Sequence, residues 1–128
     1  MRSAADEAVS GIIERWAAAF EKLDAQSLAS LYSRSALFFG SKASLYRGHD
    51  GVAAYFDALP RWSSPTVEFT DRATAQVSSD LINFAAMACF VVGDDTPPLT
   101  VKISWVIARE DGDWKIVSHH VSSRTPLL

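Results

Sequence analysis

The chain has 128 residues, a net charge of −3, 48% hydrophobic and 21% charged residues. That length suits one domain with one sizeable core, and the balance excludes native disorder. No run of Lys or Arg supplies the basic face that nucleic acids or anionic membranes require, so neither is expected as a partner. The first predicted element is a helix. Val9, Ile12, Ile13, Trp16, Ala17, Phe20 and Leu23 follow the i, i+3, i+4, i+7 spacing of one buried face. Asp24 is a suitable N-cap for a short second helix over Ala25 to Tyr32, which Ser33 to Ser35 break. Ala36 to Phe39 and Leu45 to Arg47 read as short strands joined around Gly40. Gly48 and Asp50 open a third helix carrying Val52, Ala53, Tyr55, Phe56 and Leu59, and Pro60 ends it.

Beyond Pro65 the period changes to two. Val67, Phe69, Ala73, Ala75 and Val77 alternate with polar neighbours. Asp71 shares the apolar parity; it faces inward in a regular strand, or returns to water at a bulge over Thr70-Asp71-Arg72. Leu81 to Val92, Leu99 to Arg109 and Trp114 to Ser123 are three further strands, separated by turn-forming residues that include Asp111-Gly112. Helices first and long strands afterwards predict a single α+β domain over residues 1–128, with a curved antiparallel sheet around the helices. The strand from Leu81 to Val92 is apolar on both parities. The helices can cover only one face, so a second copy is expected on the other, as a homodimer through the sheet.

The longest apolar stretch, Ile82 to Val92, is too short for a bilayer and contains Asn83. Asp6 and Glu7 stand where a secretory signal would be apolar, and the single Cys89 has no internal disulfide partner. A cytoplasmic location is expected. No phosphate-binding glycine loop or dinucleotide fingerprint occurs, so no cofactor is expected. His119 and His120 are adjacent on a strand and point to opposite faces, which with one other histidine, His49, speaks against a metal site. Arg61, Glu110 and Asp113 read as solvated surface.

Trp16, the run Leu31-Tyr32-Ser33 leading into Ala36-Leu37-Phe38-Phe39, Tyr55-Phe56, and the ending Asp111-Gly112-Asp113-Trp114-Lys115-Ile116-Val117-Ser118-His119-His120 resemble the nuclear transport factor 2-like superfamily. Within it the resemblance is to the SnoaL-like branch that includes the association domain of calcium/calmodulin-dependent protein kinase II. It implies a cone of three helices in a strongly bent, mainly antiparallel sheet, with a pocket at the open end and dimers through the sheet. It also implies that the position after the second histidine, Val121 in this chain, belongs to the pocket face, which places His119 there too. The alternative is a hydrogen-bonded core His119, with His120 at a dimer interface.

The same resemblance sets out candidate chemistries. Ser41, Tyr55 and the Val121-Ser122 position resemble those of iota-class carbonic anhydrases, which work without metal through hydroxyls near a His-His-Ser-Ser motif. Val121 replaces the first serine and cannot hydrogen-bond. Ketosteroid-isomerase chemistry needs a carboxylate base near the end of the first strand. Leu37-Phe38-Phe39-Gly40-Ser41 offers none. The expectation that remains is a pocket for a small organic molecule walled by Trp16, Phe20, Tyr32, Phe39, Tyr55, Phe56, Trp62, Trp105 and Val121. Ser41, Tyr55, Lys102 and His119 would orient the ligand, with His119, Tyr55 and Ser41 as catalytic candidates. A pure scaffold, by analogy with the kinase hub, is the competing expectation.

Overall fold

Ser3 starts the first helix by accepting the Asp6 N–H on its hydroxyl, while the Asp6 carboxylate accepts the Ser3 N–H. In the computed structural model, which describes residues 3–128, this helix (α1) spans Ala4–Glu21. Its buried stripe of Val9, Ile12, Ile13, Trp16 and Phe20 is the one the apolar spacing predicts. Asp24 caps α2 by accepting the Ser27 N–H at 3.1 Å.

Helix α2 covers only Ala25–Ala29, and Tyr32 opens a strand instead of closing the helix. That strand, β1, is Tyr32–Phe39. Its early start depends on partners far along the chain. Tyr32 pairs with Ile116, and the buried Ser33 hydroxyl donates to Glu110 Oε1 at 2.6 Å. Glu110 is therefore a structural acceptor and not free surface; the Ser33 hydrogen bond holds its carboxyl below the usual range. Strand β2 is Tyr46–Arg47 and helix α3 is Gly48–Asp57. Arg61 is exposed, as the sequence reading has it, but its head group is also engaged. Its guanidinium donates to the carbonyls of Phe56 at 2.9 Å, Leu59 at 3.2 Å and Leu23 at 3.4 Å. A cation at a helix C-terminus satisfies carbonyls that lack intrahelical partners.

Strands β3 (Thr66–Ser78), β4 (Leu81–Val91), β5 (Leu99–Glu110) and β6 (Asp113–Ser123) complete the chain. The β5–β6 hairpin turns on Asp111 and Gly112, both at positive φ (52° and 85°), the backbone of a tight turn that matches strand twist. The six strands form one sheet in the order β2-β1-β6-β5-β4-β3. Neighbours are antiparallel except β1 and β6, which run parallel. Asp71 lies in a bulge: its φ is +51°, the register shifts between Thr70 and Ala73, and its side chain is exposed. The bulge absorbs the parity that would have buried a carboxylate.

The sheet is curved, and its inner face packs on the helices. Trp16 is central: its ring stacks on Phe20 at 5.3 Å and meets Phe56, Phe69 and Trp105 within 6.5 Å. The outer face carries the other parity. Leu37, Phe39 and Val91 are 45%, 38% and 44% exposed there. No helix among the described residues is long and apolar enough to cross a membrane.

Candidate functional site

The curvature leaves a cavity of about 330 Å³ between the helices and the inner face of the sheet. Helix α1 contributes Trp16 and Phe20; α3 and the segment after it contribute Tyr55, Phe56, Leu59 and Trp62. The end of β1 adds Phe38, Gly40 and Ser41. Phe90, Val92 and Thr96 come from β4 and the loop beyond it, Leu99, Val101 and Ile103 from β5, and His119 and Val121 from β6. No charged side chain among the described residues lines it. The polar groups are Ser41, Tyr55, Thr96 and His119.

His119 is placed by register. It pairs with Phe38 of β1 on one side and Trp105 of β5 on the other. Its ring stacks on Phe38 at 4.0 Å with a 16° interplanar angle, and it is 3% exposed. Two groups reach its Nδ1: the Trp105 Nε1 at 3.0 Å and the Tyr32 hydroxyl at 2.9 Å. An indole N–H can only donate, so Nδ1 must carry a lone pair. The Trp16 indole donates in turn to the Tyr32 oxygen at 3.0 Å, so the Tyr32 proton is free to point at Nδ1. The two donor-only indoles fix the ring: the Trp105 N–H requires a bare Nδ1, whose lone pair the Tyr32 hydroxyl shares. The imidazole is neutral, with its hydrogen on Nε2.

Burial, and secondarily the charge of His120, lowers the His119 pKa from 6.5 to about 3. Burial also pushes the Tyr32 phenol upward. Nε2 has no hydrogen-bond partner among the described residues, yet no fully buried polar side-chain atom there is unsatisfied. The Nε2–H is therefore accessible, and the cavity is the space that His119 lines.

The second polar pole is a hydroxyl pair. Tyr55 Oη accepts the Ser41 N–H at 2.9 Å and lies 2.8 Å from Ser41 Oγ. Either hydroxyl can donate to the other, and in both arrangements one hydroxyl hydrogen stays uncommitted. Gly40 makes this contact possible, because a Cβ there would stand 2.5 Å from Tyr55 Cζ. Gly40→Ala must displace the Tyr55 ring, which is packed on Phe38 at 4.7 Å and Tyr46 at 5.3 Å. We expect a loss of about 1–3 kcal/mol in urea unfolding. A crystal structure of the variant is expected to show the Ser41–Tyr55 hydrogen bond broken.

Among the residues expected at the site, Trp16, Phe20, Ser41, Tyr55, Phe56, Trp62, His119 and Val121 line the cavity. Tyr32 and Trp105 are fully buried behind His119 and reach the cavity only through its ring. Phe39 and Lys102 are corrections. Phe39 pairs with His120 on the outer face, ring centroids 5.5 Å apart, and its neighbour Phe38 takes the inner position. Lys102 alternates with Val101 and Ile103 and lies in a groove on the outer face with Met87, His120 and Ser122. Its ammonium serves a different surface. His49 is occupied by structure, its Nε2–H donating to the Tyr32 carbonyl at 2.7 Å. No group of three or more His, Cys, Asp or Glu among the described residues could hold a metal ion. Of the residues that the sequence reading passed over, Phe90, Val101 and Ile103 lie on the inward parity of their strands. Thr96, in the β4–β5 loop, had no periodic signal.

A family model for the SnoaL-like domain matches residues 9–126. No curated protein matches. The fold recurs in solved structures. A nuclear transport factor 2-like protein of unknown function from Pseudomonas putida shares 19% identity over 99% of this chain and 92% of its own, with a TM-score of 0.84. A proposed calcium/calmodulin-dependent protein kinase II association domain from Xanthomonas campestris shares 19% over 94% and 87%, at 0.83. A proposed scytalone dehydratase from Novosphingobium aromaticivorans shares 12% over 94% and 84%, at 0.81.

Proposed function

The chain belongs to the SnoaL-like domain family, and on that footing we propose that it is a homodimeric domain whose cavity takes up a small, largely apolar organic molecule. The lining carries this reading. About 330 Å³ bounded by aromatic and aliphatic side chains, with a few convergent polar groups, is the usual make-up of a small-molecule site. A domain kept only as a scaffold has no need of the space; tight packing would stabilise it.

Conversion of the ligand by acid–base chemistry has less support. No carboxylate lines the cavity, and His119 is neutral with its basic nitrogen already engaged. An isomerase-type base is thus missing, and Val121 stands where the carbonic anhydrase-like arrangement wants a serine. The names of the dehydratase-like relatives speak for those proteins, because one fold hosts many activities. The dimer part of the proposal is supported by the outer face. Leu37 and Phe39 on β1 and Val91 on β4 are large apolar side chains left exposed on that face, which a second copy would cover.

Titration with the neutral fluorophore N-phenyl-1-naphthylamine tests the cavity. Saturable uptake is expected, and its loss in Val121→Trp, which places an indole in the space while circular dichroism stays native. No saturable uptake by the unmodified protein would defeat the proposal. Sedimentation equilibrium at micromolar concentration should return twice the chain mass; a monomer removes the dimer.

A further inference from the structure

We propose that the cavity selects an uncharged ligand bearing a hydrogen-bond acceptor, a carbonyl above all, and that His119 holds it as a fixed neutral donor through Nε2–H. This rests on the cavity being a binding site, and adds which chemistry it admits. The argument begins at the two indoles. Trp105 donates to Nδ1 at 3.0 Å and Trp16 donates to Tyr32 Oη at 3.0 Å. Neither can reverse its role. An imidazole protonated at Nδ1 would set an N–H against the indole N–H of Trp105. The other neutral tautomer fails for the same reason. His119 can therefore present nothing but a donor to the cavity.

Each ligand class meets that donor differently. A ketone, aldehyde, ester or lactone oxygen accepts the Nε2–H and leaves no polar atom unmatched. An alcohol oxygen can accept as well, but its own hydrogen then needs a partner. A carboxylate would be dehydrated among aromatic walls with no cation in the lining to offset the cost. A quaternary ammonium finds ring faces on Trp16, Phe20 and Phe38 but faces the positive end of an N–H dipole, with no anion in the lining. The Ser41–Tyr55 pair reinforces the preference, since it has one spare hydroxyl hydrogen in either arrangement. Both poles of the cavity offer donors.

The arrangement also defines what His119 does not do. It removes no proton, because the one lone pair of the nitrogen that could accept it is already taken up by the Trp105 indole hydrogen. Its part is to orient a carbonyl and draw charge toward its oxygen.

Four probes of one shape separate the possibilities: 1-indanone, indane, indane-1-carboxylate and 1-indanyl-trimethylammonium, each displacing N-phenyl-1-naphthylamine from the native protein. The ketone is expected to bind on the order of fivefold to tenfold more tightly than indane, and both charged probes more weakly than indane. Long-range 1H–15N spectra should show His119 protonated at Nε2 and bare at Nδ1, unchanged from pH 8 to 5. That measurement needs no variant. Indane binding as well as indanone would overturn the donor while leaving the apolar cavity in place. Tighter binding of either charged probe, or a His119 hydrogen on Nδ1, would overturn the selection outright. Failure of all four probes to bind would sink the binding site itself, and this inference with it.

Discussion

Lowering the pH from 7.5 to 4 is expected to remove several kcal/mol of stability, with most of the loss beginning near pH 6.5. The cause is His119. In the unfolded chain its imidazole takes up a proton near pH 6.5; in the folded chain it stays neutral down to about pH 3. Between those values the unfolded state binds more protons, so stability rises with pH and is complete above about 6.5. The gap corresponds to at most about 4–5 kcal/mol. Glu110 and Asp24 act later. Hydrogen bonds to their carboxylates hold both below the ordinary range, so their contributions fade only as the pH falls through lower values. Urea midpoints measured across this range for the wild type and His119→Gln separate the terms. Glutamine can accept the Trp105 indole hydrogen and does not titrate. Its profile between pH 6.5 and 4.5 should be much flatter, and an equally steep one would remove His119 as the cause.

Trp105 is expected to be the most costly single truncation of the sheet. It is fully buried, and its ring packs on Phe84 at 5.2 Å and Phe69 at 5.4 Å while its indole holds His119. Trp105→Ala opens a large void and should cost about 3–5 kcal/mol in denaturant unfolding. Trp105→Phe tests the second role. It keeps most of the volume but removes the donor, so a smaller loss of about 1–2 kcal/mol is expected. With the indole gone, only the rotatable Tyr32 hydroxyl faces Nδ1, and this group can donate or accept. The His119 spectrum should then show both neutral tautomers. A spectrum still showing Nε2–H alone would mean that Tyr32 sets the tautomer without help.

The parts of the fold that were legible in the sequence are those governed by local period. Val9 to Phe20 declare a helix face, and the alternation after Pro65 declares strands whose ends fall within a residue or two of those observed. Tyr32 was not legible. Leu28, Leu31 and Tyr32 continue a helical spacing, and the contacts that start the strand there, Ile116 beside Tyr32 and Glu110 on Ser33, come from some eighty positions away. Phe38 and Phe39 pose a similar problem. Both are large and apolar, and the irregular register between Tyr32 and Leu37 hides which one faces inward. Lys102 differs, because the alternation Val101-Lys102-Ile103-Ser104-Trp105 already places it opposite Val101, Ile103 and Trp105. A basic residue inferred from distant relatives outweighed a parity that the chain itself supplied. The sequence placed His119 on a strand, opposite to His120, but its proton inventory needed coordinates, since Trp16, Tyr32 and Trp105 lie on three different elements.

The parallel pairing of β1 with β6 has a consequence for the order in which the molecule assembles. The antiparallel strands β3 to β6 are joined by short turns and can zip together from their hairpins. Strand β1 cannot join the main sheet until β6 exists, since among the described residues its only other strand partner is the two-residue β2. Closing so long a loop is a slow step in folding. The Tyr32–His119 hydrogen bond spans 87 residues and forms only at that closure. A ribosome making this chain therefore holds a sheet with an open seam until β6 has emerged, and the seam closes at the wall of the cavity.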